Sequence, residues 1–389
     1  MSKINDLIQE LCPNGVKKYT IKDICLVTRG RVISKMELQE KAGEYPVYSS
    51  QTLNNGVFGK INSYDFDGEY VQWTTDGANA GSIFYRNGKF SVTNVCGLLK
   101  IKDEYLNKIR TDYLAYALTM ESKKYVNYAT SNPKLMSNVM ADITILIPPI
   151  EIQNEIVRIL DKFGELKAEL EAELEARKSQ YEFWREKIIN MYKSENIKLL
   201  DMAKVYDGTH ATPNYQLSGV PFISVENISS IYDSNKYISE EDFQKYKIKP
   251  QINDVFMTRI GSIGKCSVFD KQVDLAYYVS LALIRPDTEV ILPKYLKYVI
   301  ESNIGKDELY KRTLVHAVPI KVNKDEIGKI VLPVPSIDDQ KKIISKLDKF
   351  DALVNDITVG LPAEIELRRK QYEYYRNKLL SFEEMSVSE

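Results

Sequence analysis

An internal repeat is the sequence feature that most limits the possible folds of this chain. Residues 148–163 match residues 335–350 at a constant offset of 187, and Leu160-Asp161-Lys162-Phe163 recurs as Leu347-Asp348-Lys349-Phe350. Residues 177–185 match residues 368–376 at an offset of 191, so the second copy carries four extra residues between its matching parts. The repeat predicts two similar units, each made of a variable block followed by a long helix.

The matched segments have the pattern of a coiled-coil seam, with apolar and aromatic residues spaced 3 and 4 apart. Pro148-Pro149 favours a helix start, and Gly360-Leu361-Pro362 predicts a local break in the second helix. We expect the two helices to pair as an antiparallel coiled coil. The predicted pairing residues are Ile156, Leu160, Phe163, Leu170, Leu174, Tyr181, Trp184, Ile343, Leu347, Phe350, Ile357, Tyr372, Tyr375 and Leu379.

The variable blocks are predicted to be rich in β-structure, with short strands separated by turn residues. Trp73-Thr74-Thr75 followed by Gly81 aligns with Phe256-Met257-Thr258 followed by Gly264, and Tyr113 aligns with Tyr295. The predicted strands are Thr20 to Thr28, Tyr70 to Thr75, Ser82 to Tyr85, Gly97 to Ile101, Lys198 to Tyr206, Pro221 to Val225, Asp254 to Thr258 and Ser280 to Ile284. The expected fold class is α+β, a pseudo-twofold tandem repeat.

Composition excludes several classes of protein. The longest nearly apolar run, from Leu275 to Ile284, is far shorter than the roughly 20 residues of a membrane span. The four cysteines and two histidines lack metal-ligand spacing, so a zinc site and a disulfide framework are not expected, and a reducing cytoplasm fits. The net charge of −1 argues against non-specific binding of nucleic acid but permits a specific interaction through a local basic surface.

No motif predicts a catalytic site. Gly261-Ser262-Ile263-Gly264-Lys265-Cys266 approaches a phosphate-binding loop but has the wrong spacing and lacks the final Ser or Thr. Asn132-Pro133-Lys134 does not match the aromatic loop of a base methyltransferase. A self-contained methyltransferase or nuclease is therefore not expected.

Two variable blocks alternating with two similar helices resemble the specificity subunit of type I restriction-modification enzymes. The resemblance covers the whole chain, and its clearest motifs are Pro148-Pro149-Ile150 with Gln153, the segment 360–372, and Asp207-Gly208-Thr209-His210 with Thr212-Pro213. It implies a DNA reader without catalytic activity of its own, in which each variable block is a target-recognition domain for one half of a bipartite site. The helices would set the spacer between the half-sites.

The resemblance also implies partners. Two methyltransferase (modification) subunits would bind the helices, and up to two restriction (motor-nuclease) subunits would join them. S-adenosylmethionine, ATP and magnesium would belong to those partners, with no cofactor or metal on this chain. The competing hypothesis is a coiled-coil scaffold with two repeated protein- or glycan-binding domains.

On this interpretation the chain divides into six segments: an N-terminal segment completing the first repeat (1–16), target-recognition domain 1 (17–147), helix 1 (148–197), target-recognition domain 2 (198–334), helix 2 (335–381) and a tail (382–389). Polar and basic side chains in the variable blocks are the candidates for contact with double-stranded DNA, because such side chains bind base edges and phosphates. They are Arg29, Arg31, Ser50, Gln51, Asn54, Asn55, Thr75, Asn79, Thr209, His210, Thr212, Asn214, Glu226, Asn227, Thr258, Arg259, Ser262 and Lys265.

Overall fold

The computed structural model describes residues 2–129, 131–355 and 360–385, which divide into two units. Unit 1 contains the described residues up to Glu169 and those from Glu366 onward, and unit 2 contains those from Leu170 to Ile365. The helices are α1 (Ser2–Leu11), α2 (Ile21–Ile24), α3 (Lys35–Glu40), α4 (Thr111–Glu121), α5 (Ser137–Asp142), α6 (Ile150–Ile189), α7 (Leu199–Met202), α8 (Glu240–Gln244), α9 (Pro293–Glu301), α10 (Asn303–Tyr310), α11 (Lys324–Ile327), α12 (Ile337–Asn355) and α13 (Leu361–Leu379).

The strands are short and alternate with these helices. They are β1 (Lys17–Thr20), β2 (Cys25–Arg29), β3 (Ala42–Tyr48), β4 (Val57–Ile61), β5 (Phe66–Asp67), β6 (Tyr70–Thr74), β7 (Ile83–Arg86), β8 (Lys89–Val92), β9 (Cys96–Ile101), β10 (Thr144–Ile147), β11 (Ser194–Lys198), β12 (Ala203–Asp207), β13 (Val220–Ile223), β14 (Tyr237–Ile238), β15 (Val255–Thr258), β16 (Cys266–Val268), β17 (Ala276–Tyr277), β18 (Leu281–Pro286) and β19 (Val331–Pro335).

The two units share the topology of their main sheets, and the second sheet has four strands in unit 1 and three in unit 2. In unit 1 a four-stranded antiparallel sheet has the order β2-β9-β6-β7, and in unit 2 the order is β12-β18-β15-β16. A second sheet contains a parallel pair in each unit, β3 with β8 and β13 with β17. An antiparallel ribbon precedes the long helix in both, β1 with β10 and β11 with β19. The tandem repeat predicted from the sequence is thus present in the fold.

In each unit the core lies between the four-stranded sheet and the first longer helix that follows it. Every residue of β6 is buried, and Trp73 has no exposed surface while its indole N–H donates to the Leu135 carbonyl at 3.0 Å. In unit 2 Val255 and Met257 of the buried strand β15 belong to one apolar cluster with the buried Tyr295 and Leu296 of α9. The two blocks differ in sequence, but the core positions of both hold buried aromatic or apolar side chains. This is why both blocks adopt the same fold.

The two ends of the described chain meet within unit 1. The Val16 N–H donates to the Glu383 carbonyl at 2.8 Å, and the Met385 N–H donates to the Val16 carbonyl at 3.0 Å. The Lys18 ammonium pairs with the Glu384 carboxylate at 2.9 Å. The segment around Val16 thus lies against the residues that follow the C-terminal helix α13 in unit 1.

The long helices pair inside both units. In unit 1 the Phe163 ring of α6 stacks on Tyr375 of α13, with ring centroids 5.5 Å apart, and also contacts Tyr372. In unit 2 Leu174, Tyr181 and Trp184 of α6 share an apolar cluster with residues of α12, namely Ile343, Leu347, Phe350 and Val354. Ile156, Leu160 and Leu379 are buried in the unit 1 core, Leu170 is half-buried, and Ile357 lies outside the described residues. Helix α12 ends at Asn355 and α13 begins at Leu361, as the Gly-Leu-Pro break predicted.

A buried glutamine fixes the start of each long helix. Gln153 has no exposed surface; its amide N–H groups donate to the carbonyls of Pro148 and Lys108, both at 2.7 Å, and its oxygen accepts from the Arg110 N–H at 2.9 Å. Gln340 makes the same three bonds in unit 2, to Pro335, Val290 and Leu292, at 2.9, 2.9 and 2.8 Å. Each glutamine therefore ties the helix start to the loop before the preceding helix.

A tyrosine–aspartate hydrogen bond makes a second equivalent link in each unit, about two turns further along the long helix. The Tyr116 hydroxyl donates to the Asp161 carboxylate at 2.6 Å, and Tyr298 donates to Asp348 at 2.6 Å. Burial, with these hydrogen bonds, raises the pKa of both tyrosines. The aspartates belong to the repeated Leu-Asp-Lys-Phe motif, so the motif attaches each long helix to the shorter helix, α4 or α9, of the same unit.

Three predictions about local structure are wrong in part. The segments Thr20 to Thr28 and Lys198 to Tyr206 were predicted as strands, but a helical turn, α2 or α7, precedes a shorter strand in each. The block 148–197 was predicted as helix, but α6 ends at Ile189 and β11 follows, because β11 pairs with β19 across the unit 2 ribbon. The residues of β11 therefore belong structurally to the second variable block.

None of the described helices is both long and apolar enough to cross a membrane. The cysteines Cys12, Cys25, Cys96 and Cys266 are all buried and unpaired.

Candidate nucleic-acid interface

The predicted DNA-contact residues of unit 1 gather where strands β2, β3, β6 and β8 end. We call the loops 29–31, 49–56, 75–81 and 93–95 the strand-end surface of unit 1. Arg29, the last residue of β2, donates to the Thr75 hydroxyl at 3.0 Å and to the Asn94 carbonyl at 2.6 Å. Because β2 and β6 flank β9 and end at the same edge, one arginine reaches both neighbouring loops.

Side-chain hydrogen bonds join the two larger loops of this surface. The Asn79 amide donates to the Ser50 carbonyl at 2.9 Å, and the Gln51 amide donates to the Val57 carbonyl. The Ser49 hydroxyl accepts a bond from Thr93 at 2.9 Å. The two candidate clusters that were separate in the sequence are therefore one site in the fold.

The tip of loop 49–56 has an unusual backbone. Asn54 and Asn55 have φ values of 49° and 50°, and Gly56 follows at 79°. Asparagine tolerates this left-handed region better than most residues, and glycine adopts it freely. The side chains of Asn54 and Asn55 are exposed, and such amides can bind base edges.

Arg31 is less available to DNA than its sequence position indicates. Its guanidinium pairs with Asp65 and with Glu37, each at 3.0 Å. Hydrogen bonds from Lys41 and Arg31 lower the pKa of Glu37, which keeps this carboxylate charged beside Arg31. A phosphate would have to compete with two carboxylates for the same arginine.

In unit 2 the corresponding loops are 207–214, 224–227, 259–265 and 278–280, which form its strand-end surface. Asp207, the last residue of β12, accepts from Arg259 at 2.6 Å, and the Arg259 guanidinium also donates to the Val279 carbonyl at 2.9 Å. His210, which is exposed, lies 3.9 Å from the Asp207 carboxylate. Thr209 is half-buried and Thr212 and Asn214 are exposed in the same loop.

The remaining candidates of unit 2 divide into turn residues and exposed ones. Asn227 and Ser224 form a reciprocal capping box, and Glu226 pairs with Lys236 at 3.4 Å. Ser262 and Lys265 are exposed on the hairpin between β15 and β16, and the Lys265 ammonium has no hydrogen-bond or ion-pair partner among the described residues. Because this hairpin joins two antiparallel strands, it is not the strand-to-helix loop of a phosphate-binding motif.

Three candidates are buried, and for these the predicted DNA contact gives way to a structural role. Thr75 and Thr258 have no exposed surface, and Arg259 is 7% exposed. The Thr258 hydroxyl accepts from the Lys265 N–H at 3.0 Å, and Thr75 donates to Asp76 at 2.6 Å. A buried side chain has no surface to offer a base, so these residues shape the loops that the exposed residues occupy.

Hydrogen bonds in the sheets also correct the sequence alignment of the two blocks by one residue. Thr74 and Thr258 hold equivalent places, since Thr74 exchanges bonds with Ser82 and Gly81 as Thr258 does with Lys265 and Gly264. Thr75 therefore corresponds to Arg259. The loop after it is one residue shorter in unit 2, which is why a match on glycines misplaces the strand end.

One further loop in each unit contacts these surfaces and was not predicted from the sequence. In unit 1 the Gly77 N–H donates to the Pro133 carbonyl at 3.0 Å and Lys134 lies 3.8 Å from Asp76. In unit 2 the Gly261 N–H donates to the Ile320 carbonyl at 2.9 Å, and Val318 in the same loop is fully exposed. These loops, 127–134 (with residue 130 outside the described residues) and 314–321, border the strand-end surfaces. Neither has periodicity that a sequence pattern could reveal.

The type I restriction modification DNA specificity domain matches this chain twice, over residues 13–177 and 191–367. The chain belongs to the type I DNA specificity family. The two matches coincide with the two structural repeats, and this confirms the prediction of a specificity subunit with tandem recognition domains rather than an enzyme acting alone. It supports that function over the alternative of a scaffold for protein or glycan.

Proteins named as type I specificity subunits are similar to this chain over most of its length. One such protein of Mycoplasma pneumoniae is 33% identical over 94% of this chain and 98% of its own length. A second from the same organism is 34% identical over 83% of this chain and 97% of its own length.

The crystal structure of a type I restriction-modification S subunit from M. genitalium covers 94% of this chain and 96% of its own, with a TM-score of 0.57 at 14% identity. A chain from a study of type I complex assembly and conformational transition gives a TM-score of 0.56 at 13% identity, covering 95% and 98%. At these identities the likeness establishes a shared fold.

Proposed function

We propose that each strand-end surface of this specificity subunit binds one half of a bipartite site in double-stranded DNA. The observation that carries the proposal is the equivalence of the two surfaces. The loops after β2, β3, β6 and β8 in unit 1 correspond to those after β12, β13, β15 and β17 in unit 2, and most predicted contacts of both units fall on them. Two equivalent surfaces on one chain suit a target with two half-sites.

The side chains on these surfaces suit base recognition. Exposed amides and hydroxyls, such as Gln51, Asn54 and Asn55 in unit 1 and Thr212 and Asn214 in unit 2, can bind base edges. Lys265 supplies positive charge for phosphates, and Arg29 does so beside the Asp76 carboxylate, which lies 3.6 Å from its guanidinium.

The partners are also proposed. Two methyltransferase subunits dock on the helices, which set the spacing of the half-sites, and up to two restriction subunits join the assembly in the cytoplasm. S-adenosylmethionine, ATP and magnesium are bound by those subunits.

A domain exchange tests the proposal. Residues 198–334 are replaced by the corresponding block of another specificity subunit, and the chain is assembled with its methyltransferase partner. Sequencing of methylated DNA is expected to show one altered half-site and one retained half-site, because residues 17–147 are unchanged. Alteration of both half-sites, or of neither, contradicts the assignment of one surface to each half.

A further inference from the structure

Arg86 is a buried guanidinium directly beneath the strand-end surface of unit 1. It is the last residue of β7 and is 2% exposed. Among the described residues no carboxylate forms an ion pair with it; the guanidinium carbon instead lies 3.6 Å from the centroid of the Tyr48 ring. Burial lowers the pKa of Arg86 to about 10, so the side chain remains charged at neutral pH. Burying a charged group without an anion beside it costs free energy. The hydrogen bonds of the Arg86 guanidinium therefore show which parts of the domain this buried charge stabilises.

Those bonds connect the central sheet to the tip of loop 49–56. The Arg86 Nε–H donates to the side-chain oxygen of Gln72 at 2.7 Å, and a terminal N–H donates to the Asn55 carbonyl at 2.9 Å. Gln72 is itself fully buried and donates to the Cys96 sulfur at 3.2 Å. The position of Asn55 is thus set from inside the domain.

The backbone of the tip needs such support. Asn54 and Asn55 are non-glycine residues in the left-handed region, a conformation that persists where surrounding contacts determine it. Gly56 allows the close approach, because a Cβ atom there would lie 3.0 Å from the Arg86 terminal nitrogen. The loop therefore closes over the guanidinium, and Arg86 is the side chain that holds the Asn55 carbonyl.

Unit 2 shows that the sheet does not require an arginine at this position. Val71 pairs with Tyr85 as Val255 pairs with Val268, so the next residues, Arg86 and Phe269, are equivalent. Gln72 corresponds by the same register to Phe256. The buried rings of Phe256 and Phe269 pack edge to face, with their centroids 6.1 Å apart. The equivalent loop of unit 2 is fixed locally by its Ser224–Asn227 capping box. The apolar pair of unit 2 shows that this position can be filled without an arginine. The fold alone therefore does not account for Arg86 in unit 1.

We propose that Arg86 is a positioning residue for the first half-site: it holds residues 50–55 in the conformation that recognises bases, without touching DNA. The inference rests on the proposed function of the strand-end surface. It adds that the base preference of one half-site depends on a buried charge in unit 1.

The test compares Arg86→Met and Arg86→Lys with the wild-type chain, each assembled with the methyltransferase partner, by sequencing methylated DNA. Arg86→Met keeps an unbranched side chain but loses both hydrogen bonds. We expect methylation at sites with one changed base in the first half-site to rise about tenfold relative to the cognate site, as for the loss of one base contact. The second half-site is expected to stay unchanged. Arg86→Lys retains the charge with one donor group and is expected to give a smaller relaxation at the same half-site.

The matched control is Phe269→Leu, which perturbs the equivalent buried position of unit 2 and is expected to leave both half-sites unchanged. An unchanged motif for Arg86→Met, or relaxation at both half-sites, would overturn the proposal, because a merely structural arginine affects the yield of complex and not one set of bases. If Arg86→Met does not assemble, the motif of Arg86→Lys decides by the same criteria. A wild-type complex without a bipartite motif would instead refute the function on which the inference rests.

Discussion

Replacing Gln153 by leucine removes one of the two equivalent helix-start networks while keeping the size of the side chain. The change leaves the Pro148 and Lys108 carbonyls and the Arg110 N–H without the partner that the fully buried Gln153 side chain supplies. The hydrogen bond to Pro148 is buried, and those to Lys108 and Arg110 are partly buried. At about 1 kcal/mol for each lost hydrogen bond, the expected destabilisation of unit 1 is about 3 kcal/mol. For a unit of this size that corresponds to a fall in Tm of roughly 6–12 °C.

The chain has two tryptophans, and one lies in each unit, so fluorescence can separate their unfolding. With Trp184→Phe as the background, the signal of the buried Trp73 reports on unit 1, and Gln153→Leu is expected to shift its urea transition. With Trp73→Phe as the background, Trp184 reports on unit 2, where Gln340→Leu is expected to have the same effect. Gln180→Leu, at an exposed site on α6, is the control and is expected to change stability by less than about 0.5 kcal/mol. A shift below about 1 kcal/mol for both buried variants would refute the network argument.

Three further predictions concern the helix pair, pH and DNA. Phe163→Asp is expected to destabilise unit 1 by about 3 kcal/mol in urea unfolding, because it places a carboxylate against Tyr372 and Tyr375. Phe183→Asp is the control and should have little effect, because the Phe183 ring is 61% exposed. Equal destabilisation by the two variants would contradict the helix pairing. Hydrogen bonds from Arg158, with help from Lys3, lower the pKa of Glu155 to about 2, below its value of roughly 4.3 in an unfolded chain. The stability advantage of wild type over Glu155→Gln is therefore expected to be complete above a pH of about 4.3 and to shrink as the pH falls toward 2. A difference in stability that does not change with pH would exclude this carboxylate as the cause. Lys265→Ala is expected to weaken DNA binding similarly for all sequences and to reduce the slope of log affinity against log salt by about 1, and an unchanged slope would remove Lys265 from the phosphate contacts.

The sequence predicts the repeat, the long helices and their break because these depend on periodicity and on proline, which act locally. Helices α2 and α7 were missed because a single helical turn with apolar residues three apart, as at Ile21 and Ile24, is too short to distinguish from a buried strand. The one-residue error between the blocks has a different cause. Hydrogen bonding between strands determines which threonine ends each central strand. The residues around Thr75 and Thr258 do not by themselves predict that strand register.

The candidate interface was predictable in outline and not in detail. Turn-rich polar segments after strands correctly indicated the loops at Ser50, Asn79 and Thr209, because such segments lie at the surface. Whether a particular side chain faces outward depends on its tertiary partners: Arg259 is drawn inward by Asp207, and Arg31 is held by Asp65 and Glu37. Arg86 lies in an ordinary strand pattern, and only its contact with the Asn55 carbonyl connects it with the interface.

The contact of the segment around Val16 with residues 383–385 in unit 1 has a consequence for synthesis. Domains usually fold in the order in which they leave the ribosome. Here the residues up to Glu169 lack α13 until all of unit 2 has been made, a delay of about 10–40 s at typical rates of translation. A nascent or prematurely terminated chain would expose Phe163 and the apolar surface around Ile156 and Leu160, which contribute to the same core as Leu379. Unit 2, whose residues are contiguous, can be completed first. A truncation before Leu361 would remove α13 and so destabilise unit 1, although most of unit 1 lies far from the truncation in the sequence.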